Sequence, residues 1–325
     1  MYKVSICGCG GIAEVHARIL SEMTRAELIS CCDPSVKAAS VFEEKFGIRP
    51  FTSLREMLAA EKCDALHICS PHYTHVPLAL YALDQRLHVV MEKPPAMSLA
   101  ELETLKRKAG LSETSLGICF QNRFNNSSQL AYRLIKTGRL GAVKAARAFV
   151  TWNRGNEYYS ESSWRGAANT EGGGLLINQA IHTIDLLIWL LGEPKSIIGS
   201  AKNYLHREVS GVEDTADMLL EYNGVNAMLY ATLNNSSDDA PLIEIFGENM
   251  SLHISGSTIR IVYKDGFEET INDDENIPGK DYWGSGHRKL ISSFYECLDN
   301  GEKFPIGLGD CSGAVRAISA VLGND

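Results

Sequence analysis

The first third of the chain alternates short apolar runs with amphipathic stretches, a pattern that few folds accommodate. The apolar runs, each bounded by Gly, Asp or Pro, are Lys3–Cys7, Leu28–Cys32, Ala65–Cys69, His88–Met91 and Leu116–Phe120. The helical patterns between them are Ile12–Ser21, Ser35–Phe46, Leu54–Ala60, Val76–Leu83 and Leu99–Lys108. This alternation predicts an α/β fold with a parallel sheet, because strands covered by helices on both faces become continuous apolar runs.

After about Gln121 the pattern changes to longer strands. We predict a helix over Leu130–Thr137, a strand over Val143–Trp152, a loop over Asn153–Gly174 and an apolar helix over Leu175–Leu191. Successive strands with Asn-Gly and Asp-Gly turns then predict an antiparallel sheet from Lys195 to Ile271. Two further helices are predicted over His287–Asn300 and Asp310–Leu322.

Composition limits the possible partners and the compartment. The 325 residues include 31 basic and 40 acidic side chains, a net charge of −9, which argues against a broad grip on nucleic acid or anionic lipid. No apolar run approaches the ~20 residues of a membrane span, and the N-terminus does not resemble a signal peptide. The nine cysteines form no Cys-x-x-Cys and mostly occupy apolar runs. We therefore expect reduced, buried thiols in a protein of the cytoplasm, with no nucleic-acid or membrane partner.

A glycine-rich turn, Gly8-Cys9-Gly10-Gly11-Ile12-Ala13, follows the first strand and opens the first helix. Glycines at Gly8, Gly10 and Gly11 let a pyrophosphate approach the backbone, and the helix N-terminus at Ile12 offers amide groups. A plain turn is the alternative. Asp33 ends the next strand, where an acid can accept hydrogen bonds from the adenosine ribose, and no arginine follows it to hold a 2′-phosphate. The combination predicts a bound dinucleotide, NAD in preference to NADP.

Glu92-Lys93-Pro94 follows the apolar run His88–Met91, so Lys93 is expected at the carboxyl edge of the sheet, where ligands bind. A lysine there can hydrogen-bond a substrate hydroxyl and ease its deprotonation. An ordinary surface lysine before a proline turn is the alternative.

The segment Gly172–Asp185 places Asn178 and His182 four residues apart, on one face of the predicted helix. A histidine is suited to take a proton during alcohol oxidation. A hydrogen-bonded core histidine on an apolar helix is the alternative.

These motifs together resemble one family. The glycine-rich turn, the run Ser70-Pro71-His72-Tyr73-Thr74-His75, Glu92-Lys93-Pro94 and the segment Gly172–Asp185 are similar in order and spacing to the Gfo/Idh/MocA family, which includes glucose–fructose oxidoreductase and inositol dehydrogenase. The resemblance implies an N-terminal Rossmann domain, 1–121, that binds the dinucleotide. It also implies an α/β domain with a largely antiparallel open sheet, 122–325, for substrate binding and assembly into a homodimer or homotetramer. The final helix can pack back on the first domain.

The resemblance also assigns residue roles. Ser70, Pro71 and His75 correspond to a cofactor-contacting turn, Lys93 to the catalytic lysine and His182 to the catalytic histidine. We assign Glu92, Gln121 and Arg165 to the cofactor as well. Many relatives carry Asp where this chain has Asn178, and Ala180 replaces a frequent glycine, so a three-residue proton relay is not expected here.

Arg123, after the sixth strand, and Tyr158 and Trp164, in the loop, are predicted with Asn178 to bind substrate. Aromatic faces and planar polar groups suit polyhydroxylated rings. His72 and His75 suggest a metal pair only weakly, since no third ligand is near in sequence, and no metal is predicted.

The sequence therefore predicts an NAD-dependent dehydrogenase that acts on a secondary alcohol of a sugar, cyclitol or nucleotide-sugar. Two alternatives stay open: redox-neutral sugar chemistry with tightly held NAD, and a non-catalytic NAD-binding regulator.

Overall fold

The computed structural model describes residues 1–272 and 285–323. Its internal contacts divide the chain into two units. The first unit comprises Met1–Ala96, Ala100–Cys119 and His287–Ser312; the second comprises Met97–Leu99, Phe120–Gly286 and Gly313–Asp325.

The first unit contains a parallel sheet with strand order β3-β2-β1-β4-β5-β6. Its strands are β1 (Tyr2–Cys7), β2 (Ala26–Cys32), β3 (Arg49–Phe51), β4 (Ala65–Ile68), β5 (His88–Met91) and β6 (Leu116–Ile118). Its helices are α1 (Gly11–Ser21), α2 (Val36–Phe46), α3 (Leu54–Ala60), α4 (His72–Asp84), α5 (Leu99–Gly110) and, from a start at the unit boundary, α10 (Gly286–Asn300). The predicted parallel α/β sheet is confirmed.

The strand order of this sheet fixes where a ligand can bind. β1 pairs with β2 on one side and with β4 on the other, so the strand order reverses direction at the β1–β4 pair. In open α/β sheets ligands bind outside the carboxyl ends of the strands at such a switch point. The central strands are inaccessible on both faces: Val4 and Ile6 of β1 and Leu66 and Ile68 of β4 are 0% exposed, and so are Ser5 and His67, which point to the opposite face.

The second unit contains a largely antiparallel sheet of eight strands in the order β14-β13-β12-β11-β7-β10-β9-β8. These strands are β7 (Val143–Thr151), β8 (Ser196–Lys202), β9 (Thr215–Glu221), β10 (Asn226–Thr232), β11 (Leu242–Gly247), β12 (Met250–Ser255), β13 (Thr258–Tyr263) and β14 (Glu268–Asn272). Its helices are α6 (Asn126–Lys136), α7 (Glu157–Ser160), α8 (Ala168–Glu171), α9 (Ile181–Leu191) and α11 (Ser312–Leu322). Among the described strands of this sheet, only β7 and β10 pair in parallel.

The two faces of this sheet differ. Helices α6 and α9 contact strands of the sheet, and inward residues such as Leu229 and Ala231 of β10 are inaccessible. The alternate residues point the other way: Met228 and Tyr230 on β10 and Ile198 on β8 are 43%, 38% and 60% exposed. The sheet therefore has one helix-covered face and one face with accessible apolar side chains.

Several element bounds differ from the sequence predictions, for example those of α4 and α6, which begin four residues earlier than predicted, and three local features were not predicted at all. The edge strand β3 was not predicted, because three residues that include Pro50 are too few to show the alternating pattern of a strand. The loop over Asn153–Gly174 contains the short helices α7 and α8. The helix predicted over Leu175–Leu191 begins with a π-helical turn, Leu176–Ala180, before α9.

By length and composition one helical stretch in the described part of the chain, Ala168–Leu191, could cross a membrane. Within the protein, 78% of its most apolar window is buried, as it is for a core helix.

Candidate active site

The glycine-rich turn of the first unit leaves open space at the start of α1. Gly8 has φ +93°, and a Cβ there would lie 2.6 Å from the carbonyl oxygen of Cys69, so only glycine fits. Gly10 is the N-cap of α1 and offers no side chain to the helix amides, and a Cβ at Gly10 or Gly11 would meet no atom within 4 Å. Ile12 lies in the same first turn. The free amides and the space above them fit a pyrophosphate group.

Asp33 connects this turn to the next helix. Its Oδ2 accepts a hydrogen bond from the Cys9 amide at 2.9 Å, and its Oδ1 accepts one from the Ser35 amide at 2.8 Å. The half-buried carboxylate is thus oriented beside the glycine turn, and each oxygen retains a lone pair for a further donor.

A buried histidine connects the turns that follow β4 and β5. Nε2 of His75 lies 2.8 Å from the carbonyl oxygen of Ser70, next to Pro71, and its Nδ1 lies 2.8 Å from the carbonyl oxygen of Pro94. Burial lowers the pKa of His75, although both carbonyl contacts favour the imidazolium. The neutral ring donates to one carbonyl at a time. With both nitrogens facing carbonyl oxygens, His75 has no nitrogen directed at a metal that His72 could share.

Lys93 is half-buried and directly follows β5. Its amide donates to Oε2 of Glu92 at 3.3 Å, and the Glu92 carboxylate is itself buried, with 5% of the residue exposed. The predicted cofactor residues of the first unit therefore lie at the carboxyl ends of β1, β2, β4 and β5.

In the second unit, His182 lies in the first turn of α9 and is half-buried. Its ring packs edge-to-face against Phe120, with 5.8 Å between the ring centroids. Asn178 lies in the π-helical turn, and its Nδ2 donates to Oε1 of Glu171 at 2.6 Å and to the hydroxyl of Tyr158 at 3.1 Å. Single π-helical turns inside helices occur frequently at functional sites.

The predicted substrate residues of the loop lie together around Tyr158. The Tyr158 hydroxyl also accepts a hydrogen bond from Nε2 of Gln179 at 2.7 Å. The guanidinium of Arg165 lies 4.4 Å from the Tyr158 ring centroid and 5.3 Å from that of Trp164. Burial raises the pKa of Tyr158, so the phenol is neutral and its own proton can be donated.

Two buried carboxylates that sequence reasoning missed orient this region. Glu171 is 1% exposed and accepts hydrogen bonds from Asn178 and from the Gly166 amide. Glu213 accepts the Gly174 amide at 2.8 Å and the Leu176 amide at 2.9 Å, where the π-helical turn begins. Burial raises the pKa of Glu213 to about 6. No local sequence signal identifies Glu213, because it lies 37 residues from Leu176 along the chain.

Two residues of the segment after β6 are also buried. Arg123, predicted to bind substrate, donates from Nε and Nη2 to the Asp185 carboxylate at 2.7 and 2.5 Å, and both side chains are nearly inaccessible. Gln121, predicted to contact the cofactor, is 3% exposed, and its Oε1 has no hydrogen-bond partner within residues 1–272 and 285–323. A buried acceptor of this kind fits a ligand donor.

Comparison with known proteins identifies the family. Residues 2–117 match the model of the oxidoreductase family with an NAD-binding Rossmann fold, and residues 128–253 match the GFO/IDH/MocA C-terminal domain. The chain belongs to the Gfo/Idh/MocA family. The resemblance stated from the sequence motifs is confirmed, and with it the assignment of the first sheet to the NAD-binding Rossmann type.

Several proteins similar to this chain are sugar dehydrogenases. Glucose-6-phosphate 3-dehydrogenase of Bacillus subtilis is 30% identical over 236 residues, which cover 72% of this chain and 65% of that protein. D-glucoside 3-dehydrogenase of Escherichia coli is 32% identical over 196 residues, 59% of this chain and 54% of that protein. Both matches thus span less than two thirds of the relative. The WlbA dehydrogenase from Bordetella pertussis, crystallised with NADH and UDP-GlcNAcA, is 26% identical, with a TM-score of 0.86 over 99% of this chain and 96% of that one.

Proposed function

We propose that this protein is an NAD-dependent dehydrogenase that oxidises a secondary alcohol of a sugar, cyclitol or nucleotide-sugar. The observation that carries the proposal is the position of Lys93, which follows β5 at the same sheet edge at which the glycine turn follows β1 and Asp33 follows β2. Lys93 thus lies at the edge at which a Rossmann sheet binds its dinucleotide.

The chain's own residues fit the cofactor. The open amides at Gly10 and Gly11 suit the pyrophosphate, Asp33 suits the ribose diol, and the unpartnered oxygen of Gln121 suits a ligand donor. We propose that Ser70, Pro71, His75, Glu92 and Arg165 complete or support the cofactor site, with Ile12 at the start of α1. When bound, NAD supplies the hydride acceptor.

Proton transfer from the substrate and orientation of the substrate are assigned to different side chains. In our proposal His182 takes the hydroxyl proton of the substrate, and the Lys93 ammonium donates a hydrogen bond to the same oxygen. Asn178 cannot titrate, and its amide is oriented by Glu171 and Tyr158, so it positions the substrate. The Tyr158 hydroxyl and the Trp164 face contribute a donor and a flat apolar surface to a polyhydroxylated ring.

The names of two relatives narrow the first substrates to test, because both refer to position 3 of a glucose derivative. The decisive experiment is a screen for NADH release with glucose 6-phosphate, glucosides, inositols and UDP-linked sugar acids. Absorbance of reduced cofactor in the purified protein, with substrate conversion but no net NADH release, would instead favour redox-neutral chemistry. Clean NAD binding without conversion of any sugar would favour a regulator.

We also propose that the protein is a homo-oligomer of the cytoplasm. The accessible apolar residues on β8 and β10, Ile198, Met228 and Tyr230, support a second copy on that sheet face. Nine cysteines without a disulfide support a reducing compartment. Size-exclusion chromatography with light scattering tests the oligomeric state, since a monomer at micromolar concentration would contradict the proposed homo-oligomer.

A further inference from the structure

Three buried side chains from separate elements meet in the first unit, and we call them the His16–Glu92–His287 triad. Nε2 of His16, on α1, lies 3.1 Å from Oε1 of Glu92, and Nε2 of His287, on α10, lies 3.5 Å from the same oxygen. The three residues are 0%, 5% and 6% exposed. An ionised carboxylate this deeply buried costs free energy unless hydrogen bonds or opposite charges stabilise it, so the arrangement calls for an explanation.

The triad continues into a hydrogen-bond chain. Nδ1 of His16 lies 2.8 Å from Nδ1 of His67, on β4, and Nε2 of His67 lies 2.9 Å from the hydroxyl of Tyr295, on α10. If both histidines are neutral, one arrangement of protons satisfies all these contacts with Glu92 ionised. Tyr295 donates to His67, His67 donates to His16, and His16 donates to Glu92. Every donor in the chain then points toward the Glu92 carboxylate.

The charge states agree with this arrangement. Burial alone would raise the pKa of Glu92, but the hydrogen bond from His16 and the nearby His287 outweigh it and hold that pKa well below its usual range. Burial lowers the pKa of His16 and of His67, so both rings stay neutral near pH 7. The buried network therefore holds a fixed negative charge on Glu92.

That charge lies one residue before Lys93, the lysine of the proposed function. Oε2 of Glu92 accepts the backbone amide of Lys93 at 3.3 Å, and the half-buried Lys93 side chain follows in the chain. The charges of Glu92 and Lys93 both act on His75, with opposite effects on its protonation. An anion here favours the ammonium form of the lysine, which is the form that donates a hydrogen bond to a substrate oxygen.

We propose that Glu92 is a positioning residue which, held ionised by His16 and His287, fixes the turn that carries Lys93 and stabilises the ammonium form of the Lys93 side chain. The role of Lys93 in turnover rests on the proposed function. The effect of the Glu92 charge on the Lys93 side chain does not depend on that function. The other titratable groups around Glu92, from each element packed against it, are His16, His67, Cys69, His75, Cys119 and His287.

The test is a direct titration of Lys93 in the full-length protein. Reductive methylation with ¹³C-formaldehyde labels lysine side chains, and the Lys93 signal is the one that is lost in Lys93→Arg. We expect Glu92→Gln to lower the pKa of Lys93 by roughly one unit, because a neighbouring negative charge is removed. Glu92→Asp, which keeps the charge, is expected to restore most of the wild-type value. An unchanged Lys93 titration in folded Glu92→Gln would overturn the proposal.

Two controls separate this effect from general changes. Glu113→Gln removes an exposed carboxylate of the same unit and should leave the Lys93 titration unchanged. If Glu92→Gln does not fold, the ¹³C carboxyl signal of Glu92 in the wild-type protein decides: we expect a titration midpoint well below that of an ordinary glutamate, and a midpoint at or above the ordinary value would refute the proposal. Elemental analysis tests an alternative. If the wild-type protein held a stoichiometric divalent metal and His287→Gln did not, the triad would bind a cation and the proposal would be wrong.

The proposed function can fail separately. If Lys93→Ala retained full dehydrogenase activity while Glu92→Gln still shifted the Lys93 titration, the catalytic role of Lys93 would be wrong and the electrostatic role of Glu92 would stand. If Lys93→Ala lost its activity and the Lys93 titration did not depend on Glu92, the catalytic role of Lys93 would stand and the electrostatic role of Glu92 would be wrong.

Discussion

Glu213 offers a measurable test of how the proposed catalytic helix is held. Its carboxylate is 6% exposed and accepts the amides of Gly174 and Leu176 at the start of the π-helical turn that carries Asn178. Two effects compete: burial disfavours the anion, and two amide donors at a helix start favour it. Burial prevails and raises the pKa from the ordinary 4.5 to about 6.

The size and sign of the effect on stability follow from linkage. Between pH 4.5 and pH 6 the folded state binds more protons than the unfolded state, so the contribution of Glu213 to stability falls as the pH rises through this window. A shift of about 1.5 units at 1.36 kcal/mol each gives a loss of about 2 kcal/mol by pH 7. Glu213→Gln resembles the protonated acid and does not titrate. The stability of the wild type relative to Glu213→Gln should therefore fall by about 2 kcal/mol from pH 4.5 to pH 7.

The assay is urea unfolding of both proteins at half-unit pH steps, followed by tryptophan fluorescence. Trp152, Trp164 and Trp189 lie in the second unit, so their fluorescence reports its unfolding. Taking the difference between the two proteins cancels the titration of every other group. A difference that stays flat within about 0.5 kcal/mol, or that rises with pH, would show that the amide donors outweigh burial and would refute the dominance of burial at Glu213.

Two further predictions concern the cofactor and the division of chemistry. Asp33→Ala should narrow the preference for NAD over NADP and loosen the glycine turn. Asp33→Asn keeps an acceptor for the Cys9 amide and should therefore change mainly the cofactor preference. Equal kcat/KM with NAD and NADP in the wild-type protein would contradict the assignment of Asp33 to the ribose. Lys93→Ala and His182→Ala should reduce kcat by roughly 10²–10⁴-fold with the NAD dissociation constant nearly unchanged. Asn178→Ala should mainly raise KM, by the equivalent of about 1–3 kcal/mol, and a larger kcat loss there than in the other two variants would overturn the proposed roles.

The order of elements could be predicted from the sequence because it depends on local patterns. Continuous apolar runs identified the parallel strands, and the apolar helical pattern that stops at Leu191 identified the end of α9. The glycine at Gly8 could be recognised because its conformation is one that other residues rarely adopt. The short strand β3 and the π-helical turn at Leu176–Ala180 could not be predicted from the sequence. A three-residue strand and a π-helical turn within a helix both depend on contacts with residues that are distant in the chain.

The arrangement of charges around the candidate site was beyond the sequence for a related reason. Glu213, Glu171 and Glu92 look alike in the printed chain, yet each carboxylate is buried and oriented by donors from its own surroundings. Two of them act on Asn178: Glu171 holds its amide, and Glu213 holds the turn on which it lies. Asn178, which cannot titrate, is therefore oriented by its hydrogen bonds and adds no titrating group beside His182. In the proposed mechanism, the asparagine at position 178 thus leaves the histidine as the group that takes the proton, with its neighbour confined to orientation.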